Sequence, residues 1–158
     1  MADLRDSEAM IETTVSTSAS AATVHDLLVD TEAWPTWSPH VAAMDAPSRR
    51  VEPGWVGRPR AFFSPMAIAM VVGDVYPDGG YDWHSTFGPW RLDYQNRVMP
   101  VAGDAGAEIR FTASLSGPLG SILERIVRPL SARGQRNRMT RLAEMAEAAE
   151  SGEAASGR

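Results

Sequence analysis

The chain has 158 residues, 44% of them hydrophobic and 22% charged, with a formal net charge of −5, the composition of one globular domain large enough to bury a real core. It contains no cysteine, which excludes disulfides, thiol nucleophiles and Cys-based metal sites. It contains no lysine either, so all 15 basic residues are Arg, and Schiff-base chemistry and a phosphate-cradling P-loop are excluded as well.

Residues 1–9 are polar and expected to be a flexible N-terminus. Met10 to Ser16 alternates Ile11, Thr13 and Val15 with Glu12, Thr14 and Ser16, the pattern of a half-buried strand. Ser20 can cap a helix whose apolar positions are Val24, Leu27 and Leu28. Asp30 or Thr31 opens a second short helical turn with Trp34 and Trp37 three residues apart, ended by Pro39.

From Val41 to Ser116 short alternating runs between turn residues predict an antiparallel sheet. The strands are expected at Val41–Ala46, Val56–Phe63, Met66–Val75, Tyr81–Phe87, Trp90–Met99 and Ala107–Leu115. Pro59 weakens the second of these and suggests a bulge or edge. Pro77-Asp78-Gly79-Gly80 is a turn in which proline presets the first corner and glycine accepts positive φ. Alternation places Trp90, Leu92, Tyr94, Asn96 and Val98 on one face and Arg91, Asp93, Gln95 and Arg97 on the other. Ile109, Phe111, Ala113 and Leu115 likewise oppose Glu108, Arg110, Thr112 and Ser114. The apolar sets face inward and are joined by Tyr81, Trp83, Ser85 and Phe87. Among them the Tyr94 hydroxyl, Asn96 amide and Ser85 hydroxyl need partners, within the fold or from a ligand in a concave space.

Gly117 to Glu147 predicts one long helix, with Ser116 or Gly117 as cap and Pro118 at its first position. Leu119, Ile122, Leu123, Ile126, Val127 and Leu130 repeat at the spacing of a buried face. Pro129 predicts a bend that frees the Arg125 carbonyl. Beyond Leu130 the stripe meets Gly134, Asn137 or Arg138, and Arg141. The first half is therefore expected to be core and the second, with Gly134 and Asn137, one wall of a cavity. The domain is read as residues 10–147, followed by a disordered tail, 148–158, rich in Ala, Glu, Ser and Gly.

The stretch Ala21 to Pro39 contains a segment of the form Val-x-x-x-Leu-x-Asp-x-x-x-(aromatic)-x-x-Trp-x-Pro, at Val24, Leu28, Asp30, Trp34, Trp37 and Pro39. Pro77 and Trp83, the acidic Gly103-Asp104 loop and a Ser-Gly-Pro-Leu start to the last helix follow. With the order strand, two helices, six strands, long helix, this resembles the SRPBCC (START-like) superfamily, above all its polyketide cyclase/dehydrase and lipid-transport group, over Ile11 to Ala146. The resemblance implies an α+β helix-grip fold, a curled antiparallel sheet of about seven strands around the C-terminal helix, with a ligand cavity between them. It carries over no catalytic residue, because that superfamily spans cyclases, dehydratases, carriers, receptors and proteins without activity.

Candidate ligand-binding residues are Trp83 and Tyr94, which can stack on a planar ligand, with Asn96, Ser85, Phe111, Gly134 and Asn137. Arg58 and Arg60 share a strand face with Val56 and Phe62. An inward Arg60 would hold a carbonyl or enolate oxygen; the alternative is an exposed Arg or a partner for Glu52 or Asp74. His25 is read as exposed, His84 as outer-face, and His40 either as a surface loop residue or at a cavity mouth. Three scattered histidines suggest no metal site, and no cofactor is expected. Six of the Arg lie between Arg125 and Arg141 and read as a solvated helix face; with the net charge, this argues against nucleic acid. No apolar run approaches the ~20 residues of a membrane span, and Met1 to Ser20 does not have a signal-peptide pattern, so a cytoplasmic monomer or homodimer is expected. Three functions fit: a cyclase/aromatase-type enzyme using Tyr94, Asn96, Asn137 or an inward Arg; a carrier or sensor of a hydrophobic, planar or lipid-like ligand; and an interaction module of the toxin or quinone-accessory kind.

Overall fold

The computed structural model describes residues 11–61, 68–77, 79–118 and 120–156. In chain order these form β1 (Ile11–Thr17), α1 (Ala21–Val29), α2 (Trp34–Trp37), β2 (Val41–Asp45), β3 (Val56–Ala61), β4 (Met70–Val75), β5 (Gly80–Phe87), β6 (Trp90–Pro100), β7 (Ala107–Ser116) and α3 (Gly120–Ser156). All neighbouring strands pair antiparallel, in the order β1-β7-β6-β5-β4-β3-β2. The architecture is the expected one: a curled seven-stranded sheet, a long C-terminal helix and two short helices after the first strand. The expected N-terminus 1–9, and Phe62, Phe63, Met66 and Ala67 at two expected strand ends, lie outside the described residues.

Period-two alternation sorts the two faces of the sheet. Ala107, Ile109, Phe111 and Ala113 of β7 are buried, as are Asn96 and Val98 of β6, while Arg91 and Gln95 are exposed. The β4–β5 turn needs glycine at two adjacent positions. Gly79 and Gly80 have φ of 124° and 103°, a region that side chains oppose, and a Cβ on Gly80 would run into the Asn96 backbone oxygen. The Gly80 N–H donates to His25 Nδ1 at 2.9 Å, so His25, expected at the surface, is half-buried and ties α1 to this turn. Burial first, opposed by the Asp26 charge and aided by that of Arg50, holds its pKa below the ordinary histidine value, which keeps that nitrogen free to accept.

Ser20 caps α1, its Oγ accepting the Thr23 N–H at 3.3 Å. α2 has proline in its first turn and closes with the Ser38 N–H on the Trp34 carbonyl at 2.8 Å, one residue before Pro39. Trp34 is the hinge pin of this elbow. Its Nε1 donates to the Leu28 carbonyl at 2.9 Å, and its ring stacks on Tyr81 and meets Trp37 and Trp55 edge-on. Outside, Arg49 grips the Asp30 carboxylate through Nε at 3.1 Å and a terminal nitrogen at 2.7 Å, fixing the α1–α2 junction to the loop before β3.

The long helix departs from expectation at both ends and in its middle. It begins at Gly120; Ser116 belongs to β7 and its hydroxyl donates to the Arg91 carbonyl. It runs through Pro129 and on to Ser156, so residues 148–156 are helix, not a disordered tail. The extension has partners: Glu147 accepts from Thr17 Oγ1 at 2.8 Å and the Ser18 N–H at 3.0 Å, and Glu150 from the Ser20 N–H at 2.8 Å and Thr23 Oγ1 at 2.6 Å. α1 has no acidic residue in its own first turn, and Glu150 brings the negative charge that a helix N-terminus favours.

The division into a core half and a wall half is reversed. Met139, Leu142, Ala143 and Ala146 are buried in the main core with Val24, Leu28, Ile109 and Phe111, whereas Ile126 is 66% and Leu130 77% exposed. The reason is angular. Leu130 and Met139 are nine residues apart, about two and a half turns at 3.6 residues per turn, so the two apolar stripes lie on opposite sides of the helix. Leu119 lies outside the described residues, as do the side chains of Ile122, Leu123 and Val127.

Candidate functional site

Between the inner face of the sheet, α2 and the middle of α3 lies a cavity of 90 Å³, walled by aromatic rings with Met70, His40, Asn96 and Arg138 among them. Each element contributes for a local reason. β5 and β6 bring Tyr81 and Trp83 opposite Asn96 and Tyr94; α2 presents Trp37; the bend after it delivers His40; α3 supplies Arg138.

Three polar atoms at this cavity are buried without a hydrogen-bond partner: Trp37 Nε1, Asn96 Oδ1 and Arg138 Nε. Trp37 is 2% and Asn96 3% exposed, and such groups are ordinarily paired. The Asn96 amide hydrogen-bonds the Tyr81 hydroxyl, whose pKa burial pushes up, so the phenol stays neutral. The Arg138 guanidinium carbon lies 5.7 Å from the Trp37 ring centroid and 5.8 Å from that of Phe111, and no carboxylate pairs with it among the described residues. Burial first, then the charges of Arg138 and Arg141, hold the His40 pKa below the ordinary histidine value. His40 is therefore a neutral ring at the cavity, the less expected of its two readings.

The expected site residues divide. Trp83 and Tyr94 stack with ring centroids 4.4 Å apart and planes 5° off parallel, and both are half-buried. Phe111 is fully buried core behind Arg138. Ser85 is buried but satisfied, donating to the Ala69 carbonyl at 2.8 Å. At Gly134, a Cβ would meet His40 Nε2 at 3.5 Å, placing that glycine beside the cavity mouth.

Two expectations fail. Arg60 is exposed, as is Arg58, because the inward positions of β3 are Gly57 and Pro59; Val56, on the same face as both, is 46% exposed. Gly57 carries no apolar signal because the Trp55 ring occupies the space its Cβ would need. Asn137 is exposed, lying about 200° round the helix from buried Gln135. Gln135 takes the inward place, its Oε1 accepting from Thr13 Oγ1 at 3.0 Å.

Arg138 and Trp37 are the functional candidates that sequence reasoning missed. The signal for Arg138 was its interruption of the helix stripe, which it shared with Gly134, Asn137 and Arg141. Arg128, Arg133, Arg136 and Arg141 are exposed and at helical spacing span more than half the circumference, so they do not make the one-sided basic patch of an interaction module. A larger concavity of 520 Å³ lies on the outer face, lined by Asp82, His84, Arg91, Asp93 and Gln95 among others. Several of its polar groups have partners: Asp82 accepts from the Asp74 N–H and Tyr76 hydroxyl, and Arg91 donates to Asp93. No group of three or more potential metal ligands occurs among the described residues.

No protein-family model and no curated protein matches the sequence. Solved structures do match in fold. A START superfamily protein from Mycobacterium smegmatis aligns over 87% of this chain and 96% of its own, with TM-score 0.63 and 16% identity. The di-domain aromatase/cyclase BexL from the BE-7585A biosynthetic pathway aligns over 85% of this chain and 45% of its own, with TM-score 0.66 and 20% identity. Norcoclaurine synthase from Thalictrum flavum, in complex with a transition-state analogue, aligns over 89% and 94%, with TM-score 0.69 and 13% identity.

Proposed function

We propose that this chain, which has the START-like helix-grip fold, binds a small, largely apolar and planar molecule between the inner sheet face and α3. The Trp83–Tyr94 stack carries this reading: two aromatic rings remain half-buried on a face where Tyr81, Val98 and Phe111 are sealed. A half-buried aromatic platform beside a cavity suits a planar guest. The 90 Å³ enclosure is well below the ~300 Å³ at which ligand pockets begin, so the ligand places one end in it and lies along Trp83. The site acts as a carrier or sensor pocket for a hydrophobic molecule of aromatic, polyketide-like or lipid-like kind, in a cytoplasmic monomer or homodimer that takes no nucleic acid. No helix among the described residues is long and apolar enough to cross a membrane.

A second reading, cyclase/aromatase-type transformation of the same guest without a metal or cofactor, draws support from His40, Tyr81 and Arg138 around one cavity. A neutral imidazole and a neutral phenol can pass a proton, and a guanidinium can support developing charge on oxygen.

Native mass spectrometry of the purified protein and titration with the neutral dye Nile red test the binding reading. One-to-one dye binding is expected, weakened up to about tenfold by Trp83→Ala, since an aromatic pair contributes roughly 0.5–1.5 kcal/mol beyond its burial. A protein that emerges empty and leaves the dye unbound overturns it.

A further inference from the structure

The walls of the cavity match one particular head group. Its unpaired donors are the Trp37 indole N–H and the Arg138 Nε–H. The positive charge of Arg138 has no carboxylate against it among the described residues, and the neighbouring titratable groups, His40 and Tyr81, are both neutral by burial. Arg141 adds a second positive charge close enough to act on His40. The whole chain is acidic, at −5, yet this one inner space is lined by donors and cationic charge. The Arg138 side chain is half-buried, but its Nε–H is buried and unpaired, which is costly, as is a buried indole N–H left unpaired. One incoming group relieves both, an anionic oxygen. The unpaired acceptor, Asn96 Oδ1, asks in addition for a donor such as a hydroxyl beside that oxygen.

We propose that the cavity is a carboxylate site: the ligand of the pocket is a planar aromatic acid whose carboxylate meets Arg138 and Trp37 while its ring lies outward on Trp83. The proposal rests on the binding reading above and narrows it from hydrophobic molecules in general to aromatic acids. The enclosure suits a head group and not a whole ligand, because 90 Å³ is well below the ~300 Å³ at which ligand pockets begin. Trp83 lines the cavity and stacks on Tyr94, so it joins the polar end of the site to its aromatic floor. An apolar guest entering by its hydrocarbon end would leave all three polar atoms unpaired, and a lipid with an uncharged head would leave the Arg138 charge without a counter-charge. That arrangement selects against both.

The test compares 2-naphthoate with methyl 2-naphthoate, which has the same ring and a similar shape without the charge, by isothermal titration calorimetry on the full chain. The acid is expected to bind at least about tenfold more tightly, the factor that corresponds to ~1.4 kcal/mol. Arg138→Met should abolish the preference while leaving ester binding within about twofold. Trp37→Phe keeps a ring in the core and removes only the N–H, so it serves if the arginine variant fails to fold, and it should cut the preference at least threefold. 3-Hydroxy-2-naphthoate should bind more tightly than 2-naphthoate, and Asn96→Leu should remove that increment. Equal binding of acid and ester by the wild-type protein overturns the carboxylate assignment and leaves the binding reading standing. A preference that survives both Arg138→Met and Trp37→Phe also overturns it. Failure of acid, ester and Nile red alike overturns both.

Discussion

Both halves of α3 carry apolar residues at helical spacing, and where their side chains are described they have opposite fates. From Gln135 to Ala146 the helix lies against β1, β7 and α1, burying Met139, Leu142, Ala143 and Ala146. At Ile126 and Leu130 its apolar side chains stand in solvent. A helical repeat says that one face is apolar; it does not say which body covers that face. In this chain the covering body for the second half includes residues more than 100 positions away, Thr13 and Thr17 on β1 among them, and sequence spacing is blind to them.

The comparison is broken most decisively by cutting the same side chain in each half. Leu142→Ala should cost about 2–5 kcal/mol in denaturant unfolding, the range for a leucine cut out of a closed core, while Leu130→Ala should stay within about 0.5 kcal/mol, as exposed substitutions do. The opposite ranking would mean that the first half holds the core after all.

A middle-sized effect is expected at the junction of the halves. Thr13→Val leaves the buried Gln135 Oε1 without the hydroxyl that donates to it, at a cost of about 1–3 kcal/mol. Adding Gln135→Leu removes the stranded amide, including an Nε2 already unpaired in the wild type, and should restore most of the loss. A double mutant no better than Thr13→Val would show that the pair is not coupled.

The smallest effect concerns the far end of the second half. The Ser18 N–H and then the Thr17 hydroxyl hold the Glu147 carboxyl below its ordinary value of 4.5, and the Thr23 and Ser20 hydroxyls do the same for Glu150. A folded pKa below the unfolded one means that the unfolded chain binds more protons, so this contribution is complete above pH 4.5 and is lost as pH falls through the lower folded values. Both groups lie at the surface, so the expected sign is local. Amide exchange at Ser18, Ser20 and Thr23 should quicken in acid before the core opens, and Glu147→Gln with Glu150→Gln should flatten that dependence. Protection at these amides that is flat down to pH values well below 4.5 would dismiss the clamp.

Much of the fold was legible because it rests on local chemistry. Ser20 caps because a hydroxyl before a helix can reach the N–H groups of its first turn. The Gly79–Gly80 turn follows from positive φ, and the faces of β6 and β7 follow from a period of two. Where inward positions are Gly57 and Pro59 the same rule does not decide, since neither announces burial, and Arg60 was left with an inward and an exposed reading. In the site, Trp83, Tyr94 and Asn96 could be grouped because they alternate on paired strands. Arg138, Trp37 and His40 could not, because an Arg on a helix, an indole in an elbow and a loop histidine share no spacing.

The sequence by itself determined the element order, the seven strands, the inner faces of β6 and β7, the two-tryptophan elbow and the absence of thiol and lysine chemistry. Each of these depends on residue type or on contacts a few positions apart. Only the tertiary structure decided which side of α3 is core, how far that helix runs, and which polar atoms are left facing one another in the cavity. Those are outcomes of burial, and burial is a property of everything that packs on a residue, most of it distant in the chain.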